Sequence, residues 1–445
     1  MTRAPDGARP PGPRGRRWVG NLRDYEDDRL GFLLTARDNH GDVCAFDDRT
    51  AVVSSGTLAQ QILLNRERAF DIHENYLQQT WSSEGLEEAV ALRRHLNPGL
   101  RQSAATGMVT PLARRMDEEL AAWRGEGGGP RPPVAMLERA LTGSMGEFYF
   151  GGDGEALSPL LTDLLDALSR TILDPFVLPW HSLSPARRRI GRRHRRAVRH
   201  VTALLQARLD QPGHQDFASA IVRQGGSDAG PARLADVVIG SMLAGQRVPA
   251  AAAGWLLMLV ADSSGLDVRL HEEARFLDEL LDRGAGGEIS LRDLPLATAC
   301  VLEALRLYPT TWLITRRANR PVRVGDYSFG AGHHFMLSPY VIHRDEREFP
   351  DAWAYEPDRW LGGVPTGTFL PFGHGQHLCP GRHLATVALV VVLLRTLACG
   401  RLVRTPGTVR PDPRNTLVPD GLRLALREQV VARPFPLRAA SPAYR

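Results

Sequence analysis

A single cysteine in a glycine-rich loop, followed at once by an apolar helix, is the feature that most constrains this chain. The loop Phe372–Gly381 reads Phe-Gly-His-Gly-Gln-His-Leu-Cys-Pro-Gly. The helix predicted over Arg382–Leu397 has an apolar face formed by Leu384, Val387, Ala388 and Val391. A thiolate at a helix N-terminus is stabilised by free N–H groups and the helix dipole. Because glycines let the backbone approach a flat ligand, the arrangement suits a haem iron with a cysteine ligand.

The residues around this cysteine fill every fixed position of the pattern F-x-x-G-x-[HR]-x-C-x-G, namely Phe372, Gly375, His377, Cys379 and Gly381. This stretch resembles the haem-binding loop of the cytochrome P450 family. The resemblance implies haem b as cofactor, with Cys379 as the proximal iron ligand. It also implies that Phe372 lies on the thiolate side and His377 near a haem propionate. The competing interpretation is a structural cysteine in a tight loop, since free cysteines are commonly buried.

The rest of the chain resembles the same family from Pro10 to about Glu428. The resemblance implies a mainly α fold with small β-sheets and a long central helix over a buried haem. Hydrophobic residues make up 43% of the 445 residues and charged residues 24%, which is enough apolar material for a large core. Because no linker interrupts the sequence, we expect a flexible N-terminal arm over residues 1–17 and a single catalytic domain over residues 18–445.

Cysteine usage and hydropathy indicate a cytoplasmic protein without a membrane span. The four cysteines lack the spacing of a metal finger and fit a reducing compartment. The Arg- and Pro-rich N-terminus lacks the apolar core of a signal peptide. The longest apolar runs, Ala250–Ala261 and Val387–Leu394, are shorter than the roughly 18 residues that a spanning helix needs.

Hydrophobic periodicity predicts further helices and two strand pairs. The predicted helices are Phe32–Asn39, Glu87–Leu96, Pro111–Trp123, Leu137–Phe150, Leu157–Leu173 and Val301–Pro309. The predicted strand pairs are Asp42–Ser54 and Val322–Phe329. The resemblance implies that residues 71–88, with Trp81, cap the substrate pocket, and that residues 173–184 form a lid over the substrate entrance. It also offers Arg93 as a propionate contact, with a solvated helix face as the alternative.

The stretch Arg187–Arg199 is a helical segment with eight arginines and His194. Nucleic-acid binding is one interpretation, but no aromatic residues interleave the charges to stack on bases. A solvated helix face with Ile190, Val198 and Val201 turned inward explains the pattern more simply. A weak attraction for an anionic substrate, partner or membrane surface is also compatible with it.

The predicted central helix, Leu234–Asp262, departs from the family pattern A-G-x-[DE]-T. Ala244 and Gly245 match, and their small size lets the helix approach the porphyrin. Arg247 then occupies the acid position and Val248 the threonine position. Pro249 lacks an N–H, so the carbonyl four residues back loses its helical partner. The sequence therefore predicts a kink or a water-filled opening beside the haem.

Three interpretations of this departure stay open. The first is an oxygenase in which waters, Gln246 or the substrate supply the protons. The second is a carboxylate clamp at Arg247, which is similar to the peroxide-using fatty-acid branch of the family. The third is a rearrangement, coupling or cyclisation without cleavage of dioxygen. A fourth possibility is that Arg247 points away and pairs with an acid such as Asp262, or with a haem propionate.

A charge triad is predicted to support the haem site. Glu303 and Arg306 lie three residues apart and share a helix face. They resemble the E-x-x-R pair of the family, and the resemblance implies Arg359 as third member. A surface ion pair is the alternative for this spacing.

Further residues are assigned to the haem and substrate surroundings. The resemblance implies a propionate contact from Arg316 or Arg317, of which Arg316 is favoured. It also implies a possible one from His343, for which a packed turn histidine is an equal alternative. The remaining residues predicted to line the substrate pocket are Met242, Val248, Thr311, Trp312 and Leu313.

These features together predict a haem–thiolate monooxygenase that oxidises a lipophilic small molecule, with a role in secondary metabolism. Electrons would come from a separate ferredoxin or flavodoxin and its reductase, because no flavin or iron–sulfur motif lies in these residues. We expect a monomer without a nucleic-acid partner. The alternative of another class is a haem-based ligand binder or sensor without turnover.

Overall fold

The computed structural model describes residues 9–16, 20–72, 100, 106–172, 185–211, 213–214, 216–223, 230–283, 290–363 and 368–428. The α-helices in these ranges are α1 Leu22–Asp27, α2 Arg29–His40, α3 Gly56–Leu64, α4 Val109–Gly125, α5 Val134–Phe150, α6 Leu157–Ile172, α7 Pro185–Asp210, α8 Phe217–Ile221, α9 Pro231–Ala244, α10 Arg247–Asp262, α11 Leu266–Arg269, α12 His271–Asp282, α13 Pro295–Leu307, α14 Pro339–Ile342 and α15 Arg382–Cys399. The strands are β1 Val43–Ala45, β2 Thr50–Val53, β3 Phe70–Asp71, β4 Ile314–Ala318, β5 Val322–Val324, β6 Tyr327–Phe329, β7 His334–Leu337, β8 Arg401–Arg404, β9 Arg410–Asp412, β10 Val418–Asp420 and β11 Leu424–Arg427.

Helix α15 is the centre of the main hydrophobic core. It is apolar around most of its circumference, and a helix of that kind must be enclosed by other elements. Helices α4, α10, α12 and α13 pack around it. Because the cysteine loop leads directly into α15, this core fixes the position of the loop.

A mixed sheet flanks the helical core, with strand order β1-β2-β7-β4-β3. Strands β2 and β7 are parallel and the other neighbours are antiparallel. Smaller antiparallel pairs are formed by β5 with β6, β8 with β11 and β9 with β10. The mainly α fold with small sheets is therefore confirmed, as are the strand pairs predicted within 42–54 and 322–329.

The predicted helices that fall on described residues are all present, with ends shifted by a few residues. Residues 73–99 and 173–184 lie outside the described residues. The predicted helix Glu87–Leu96, the pocket cap with Trp81, the contact from Arg93 and the entrance lid therefore remain predictions.

The N-terminal arm is not loose where the structure describes it. Pro10 is buried, and the Ala45 N–H donates to the carbonyl of Pro11 at 2.8 Å. A Cβ on Gly12 would lie 2.2 Å from the Ala45 carbonyl oxygen. The expectation of a flexible arm is thus wrong for residues 10–12, because proline holds this segment extended along strand β1.

The central helix is two helices, not one. Helix α9 ends at Ala244, α10 begins at Arg247, and Gln246 has φ −105° and ψ −80°. The interruption lies where the missing N–H of Pro249 leaves the Gly245 carbonyl without a helical partner. The predicted kink is therefore confirmed, and the single continuous helix is corrected.

Two stretches, Pro231–Asp262 and Arg382–Cys399, are long and apolar enough to cross a membrane by length and composition alone. In the folded chain, 72% and 67% of their most apolar windows are buried inside the protein. Both stretches are core elements here, and core helices pass the same compositional test.

Candidate haem site

The cysteine loop is closed by its own backbone. The Cys379 N–H donates to the carbonyl of Phe372 at 2.9 Å. Between these two residues a short 3-10 turn, Gly375–His377, carries the half-buried His377. The loop brings Cys379 to the N-terminal end of α15, as the sequence predicts.

One glycine of the loop is required by space, and a second lies beside the sulfur. Gly375 has φ +70°, and a Cβ there would lie 2.4 Å from the Leu63 carbonyl oxygen, so the loop sits directly on the end of α3. A Cβ on Gly381 would lie 4.0 Å from the Cys379 Sγ, an ordinary contact distance. Glycine at position 381 therefore places no side chain beside the sulfur of the half-buried Cys379.

The thiol of Cys379 is not activated by the protein alone. Burial raises its pKa, whereas the N–H of Gly381 and the guanidinium of Arg382 lower it. The helix terminus thus acts in the predicted direction, but desolvation outweighs it. A thiol in this position loses its proton when it binds a metal, because a thiolate is the ligating form.

The predicted charge triad is assembled around a fully buried carboxylate. Arg306 Nε and Nη2 donate to the two oxygens of Glu303, each at 2.8 Å. Arg359 Nε donates to Glu303 Oε1 at 3.0 Å. The Trp360 indole N–H and the Glu356 backbone N–H complete the set, at 2.7 and 3.0 Å. The carboxylate therefore has every lone pair engaged.

The remaining N–H groups of Arg306 donate to backbone carbonyls. Its Nη atoms donate to the carbonyls of His343, Ala352 and Ala354, at 2.9, 2.6 and 2.8 Å. Burial raises the pKa of Glu303, but the hydrogen bonds and charge of Arg306 outweigh it and hold that pKa below its usual value. The ion pair thus ties α13 to the segment that precedes the cysteine loop.

Arg316 is a buried cation without an acidic partner among the described residues. Its side chain is 6% exposed on strand β4, and its hydrogen bond is to the carbonyl of Thr315 at 2.8 Å. Burial lowers its pKa to about 10. A buried charge is normally paired, so this guanidinium fits a carboxylate that the chain does not provide. A haem propionate has that chemistry.

His343 is the packed histidine and not a propionate contact. Its Nδ1 lies 3.1 Å from the Arg306 carbonyl, and its Nε2 accepts the Leu370 N–H at 2.8 Å. Burial lowers its pKa to about 3, so the ring is neutral. Both ring nitrogens are occupied by backbone groups, which excludes the alternative of a propionate contact.

The helix break leaves a polar gap in an apolar element. Within the described residues, the carbonyls of Ala244 and Gly245 accept no backbone N–H, and Ala244 is exposed. Gln246 is fully buried, and neither its Oε1 nor its Nε2 has a hydrogen-bond partner there. Such unpaired buried groups are uncommon and indicate a missing water or ligand.

Gly245 lies close to helix α5. A Cβ there would lie 2.5 Å from the Met145 Cε, the movable end of a flexible side chain. The expected approach of Gly245 to a porphyrin remains a prediction.

Arg247 lies near an acid that the sequence does not suggest. Its Nε is 4.0 Å from Glu138 Oε1 on α5, with both side chains about one-third exposed. Burial raises the pKa of Glu138, and the Arg247 charge lowers it. Asp262, the acid named as a possible partner, pairs with Arg404 at 2.7 Å instead. Arg247 thus has a carboxylate beside it in the chain itself.

Two residues predicted to line the substrate pocket are instead buried in hydrophobic cores. Met242 is fully buried in the main core. Trp312 is 4% exposed and donates its indole N–H to the Asn415 carbonyl at 3.2 Å. Neither lines open space, and both assignments are corrected. Thr311 is exposed, while Val248 and Leu313 are half-buried, which leaves their pocket role a prediction.

A half-buried cysteine at a helix N-terminus and a buried arginine with no acidic partner among the described residues have the chemistry needed to hold a haem iron and a propionate. The chain belongs to the cytochrome P450 family, the class of haem–thiolate oxidoreductases, since the profile of that family matches residues 10–425. Members hold haem b through a cysteine thiolate, so haem b is the cofactor of this chain.

Known proteins share both sequence and fold with the chain. It is 32% identical to cyclooctatin synthase of Streptomyces melanosporofaciens over 42% of each protein. It is 27% identical to cyclooctat-9-en-7-ol 5-monooxygenase of the same organism over 55% of the chain and 54% of that protein. The chain thus spans about half or less of these relatives' length. A cytochrome P450 crystal structure matches with a TM-score of 0.74 and 19% identity, covering 90% of the chain and 98% of that structure.

Sequence reasoning missed several members of the site. Trp360, the Glu356 N–H and three carbonyl acceptors complete the triad, and Glu138 faces Arg247. Trp360 directly follows Arg359, so an indole donor beside a predicted buried carboxylate was an available signal. No local pattern marks Glu138, which is more than a hundred residues from Arg247 in sequence.

We expect Glu303→Gln to abolish folded haem protein, because it leaves Arg306 buried without a counter-charge, at a cost of about 3–5 kcal/mol. Urea unfolding and haem content measure the effect. The matched control is Glu279→Gln, whose partner Arg283 is exposed. Since the folded pKa of Glu303 is depressed, its stabilisation is present above the unfolded carboxylate pKa and is lost as the pH falls through the folded pKa. Equal losses in the two variants would contradict this assignment.

Proposed function

We propose that this chain is a cytoplasmic haem–thiolate monooxygenase that oxidises a lipophilic small molecule in secondary metabolism. The observation that carries the proposal is the position of the half-buried Cys379 thiol at the start of α15, with no side chain on Gly381 beside it. The buried Arg316, which has no acidic partner among the described residues, supports it. The names of the two Streptomyces relatives suggest a terpene-like substrate class.

The residues of the loop would each hold one part of the cofactor. Cys379 would ligate the iron, and the N–H of Gly381 would donate toward the sulfur, as it does toward the thiol. Phe372 would shield the thiolate side, and His377, with Arg316 and Arg93, would hold the propionates. Bound haem supplies the oxidising chemistry.

Residues near the helix break would line the substrate side. Ala244 is exposed at the last residue of α9, and Val248 and Thr311 also keep accessible surface. Trp81 and Leu313 belong to the same proposal. None of these side chains is charged, and an uncharged pocket suits a lipophilic substrate that is bound through burial of its apolar surface.

Gln246 would take the place of the missing acid–alcohol pair. Its buried amide and the free carbonyls of Ala244 and Gly245 offer acceptors and donors for one or two waters. Waters held there would pass protons from solvent, which neither Arg247 nor Val248 can do, because a guanidinium does not deprotonate and valine has no hydroxyl.

The carboxylate clamp is less well supported than the monooxygenase. Arg247 already has the Glu138 carboxylate 4.0 Å away, so a substrate acid would have to compete with it. We therefore keep a neutral lipophilic substrate, with electrons from a separate ferredoxin or flavodoxin and its reductase.

The haem assignment is tested by the ferrous–CO spectrum of purified protein. We expect wild type and the control Cys399→Ser to show the Soret band of a thiolate-ligated haem, and Cys379→Ser to lose it. Retention of that band in Cys379→Ser would refute the ligand assignment. Incubation with reductase, ferredoxin and labelled dioxygen then tests turnover on terpene alcohols and hydrocarbons. Complete reduction without labelled product from any substrate would favour a ligand-binding protein.

Arg316→Met separates a cofactor role from a structural one. Removal of a buried charge that has no acid should leave the haem-free protein as stable as wild type or more stable. Haem retention should fall at least tenfold, because a propionate loses its charged partner. Haem titration and urea unfolding give the two values. The control is Arg317→Met, the exposed neighbour on β4; loss of haem-free stability in Arg316→Met alone would show a structural role.

Gln246→Leu tests the proton role. Because the amide is buried and unpaired, its removal should not lower the stability of the protein. We expect the fraction of electrons that appears in product to fall severalfold, with more released as peroxide. Met242→Leu, a buried change on α9 four residues before Gln246, serves as the control. Unchanged coupling in Gln246→Leu would exclude the amide from proton delivery.

A further inference from the structure

Helix α7 carries a row of exposed arginines that the haem site does not use. We name this row the arginine ridge, and its members are Arg188, Arg189, Arg192, Arg195, Arg196 and Arg199. At 3.6 residues per turn, the six side chains fall within an arc of about 120°, over roughly 17 Å of helix. The ridge is therefore a narrow, straight, strongly positive surface.

The opposite face of α7 fixes the ridge in place. Ile190, Ala197, Val201 and Leu205 are buried in the main core, and α7 packs against α6 and α9. This apolar face compensates for the repulsion of like charges, which disfavours each i,i+4 pair by a few tenths of a kcal/mol. The guanidinium groups are thus held outward at fixed spacing.

The ridge differs from the other surface arginines in its clustering. Several exposed arginines elsewhere lie beside carboxylates, as in Arg114 with Glu118, Arg269 with Asp358 and Arg414 with Asp412, at 2.5–2.6 Å, and others without an ion pair, such as Arg275 and Arg292, lie far apart in the sequence. In the described part of the chain, no ridge arginine has an ion pair. On the facing helix α9, Asp236 lies 3.0 Å from His194. Within the described residues, the ridge therefore has no carboxylate that balances its charge.

The residues on and around the ridge favour one kind of anionic partner over a protein or a nucleic acid. No large exposed hydrophobic side chain lies on α7 among the described residues, so a protein partner would lack the apolar anchor of a stable interface. No aromatic side chain stands between the arginines to stack on bases. Phosphate groups on a flat surface need neither feature, and guanidinium binds them in a bidentate manner.

We propose that the arginine ridge docks this protein, reversibly, on a bilayer rich in anionic phospholipid. The contact is electrostatic and peripheral, with α7 lying along the headgroups. Each basic residue close to such a surface strengthens binding about fivefold. The attraction weakens as salt shortens the screening length from about 10 Å at 0.1 M to about 3 Å at 1 M.

Sedimentation of the haem-loaded full chain with vesicles tests this docking. The test variant changes four ridge arginines to glutamine: Arg188, Arg192, Arg195 and Arg199. The matched control removes four exposed arginines without ion pairs at scattered sites in the described part: Arg275, Arg292, Arg410 and Arg427. Both variants lose the same net charge, so they separate the ridge from overall charge.

We expect binding to vesicles of equal phosphatidylglycerol and phosphatidylcholine, and none to phosphatidylcholine alone. The ridge variant should lose more than a hundredfold in affinity, and the scattered variant less than tenfold. Equal losses, undiminished binding of the ridge variant, or ridge-dependent binding of duplex DNA without vesicle binding would each overturn the proposal. The ferrous–CO spectrum of every variant reports the haem site separately, so failure here is distinguishable from failure of the proposed function.

Discussion

The buried carboxylate of Glu303 is the interaction on which the haem site depends. Its five donors come from Arg306, Arg359, Trp360 and the backbone of Glu356. An ion pair in the interior is stable only when its hydrogen bonds are complete. All of these hydrogen bonds can form only when the backbone of residues 343–360 follows one conformation. That path sets where the chain re-enters the core before the cysteine loop, so one carboxylate couples α13 to the position of Cys379.

The break between α9 and α10 lacks the complete hydrogen bonding of buried polar atoms that the triad has. The triad satisfies every buried polar atom, whereas Gln246 is fully buried with its amide unpaired among the described residues. A local violation of this kind is expected where a protein works on a ligand, because the missing partner is supplied by water or substrate. Pro249 maintains the helix break itself, since no repacking can restore the N–H that would reach the Gly245 carbonyl.

The sequence predicts what depends on neighbours in the chain. The cysteine loop, the Glu303–Arg306 pair and the helix kink follow from spacing of a few residues, and the structure has all three. It does not predict what tertiary packing decides. Trp312 faces a core and donates to Asn415, about a hundred residues away, and Arg247 finds Glu138 on another helix. Such partners depend on which helix faces meet, and local periodicity carries no information on that.

Arginine is the common element of these features, because the sequence contains no lysine. Where a guanidinium is buried and paired, as in Arg306, it stabilises the fold. Arg316 is buried with no acidic partner among the described residues, which supports the proposal that it meets an anion carried by the cofactor. The arginines of the ridge are exposed on one helix face with no ion pair in the described part of the chain, which supports the proposal of an extended anionic partner. An arginine whose counter-charge lies within the fold, as in Arg306, is thus separated from those proposed to bind an external anion.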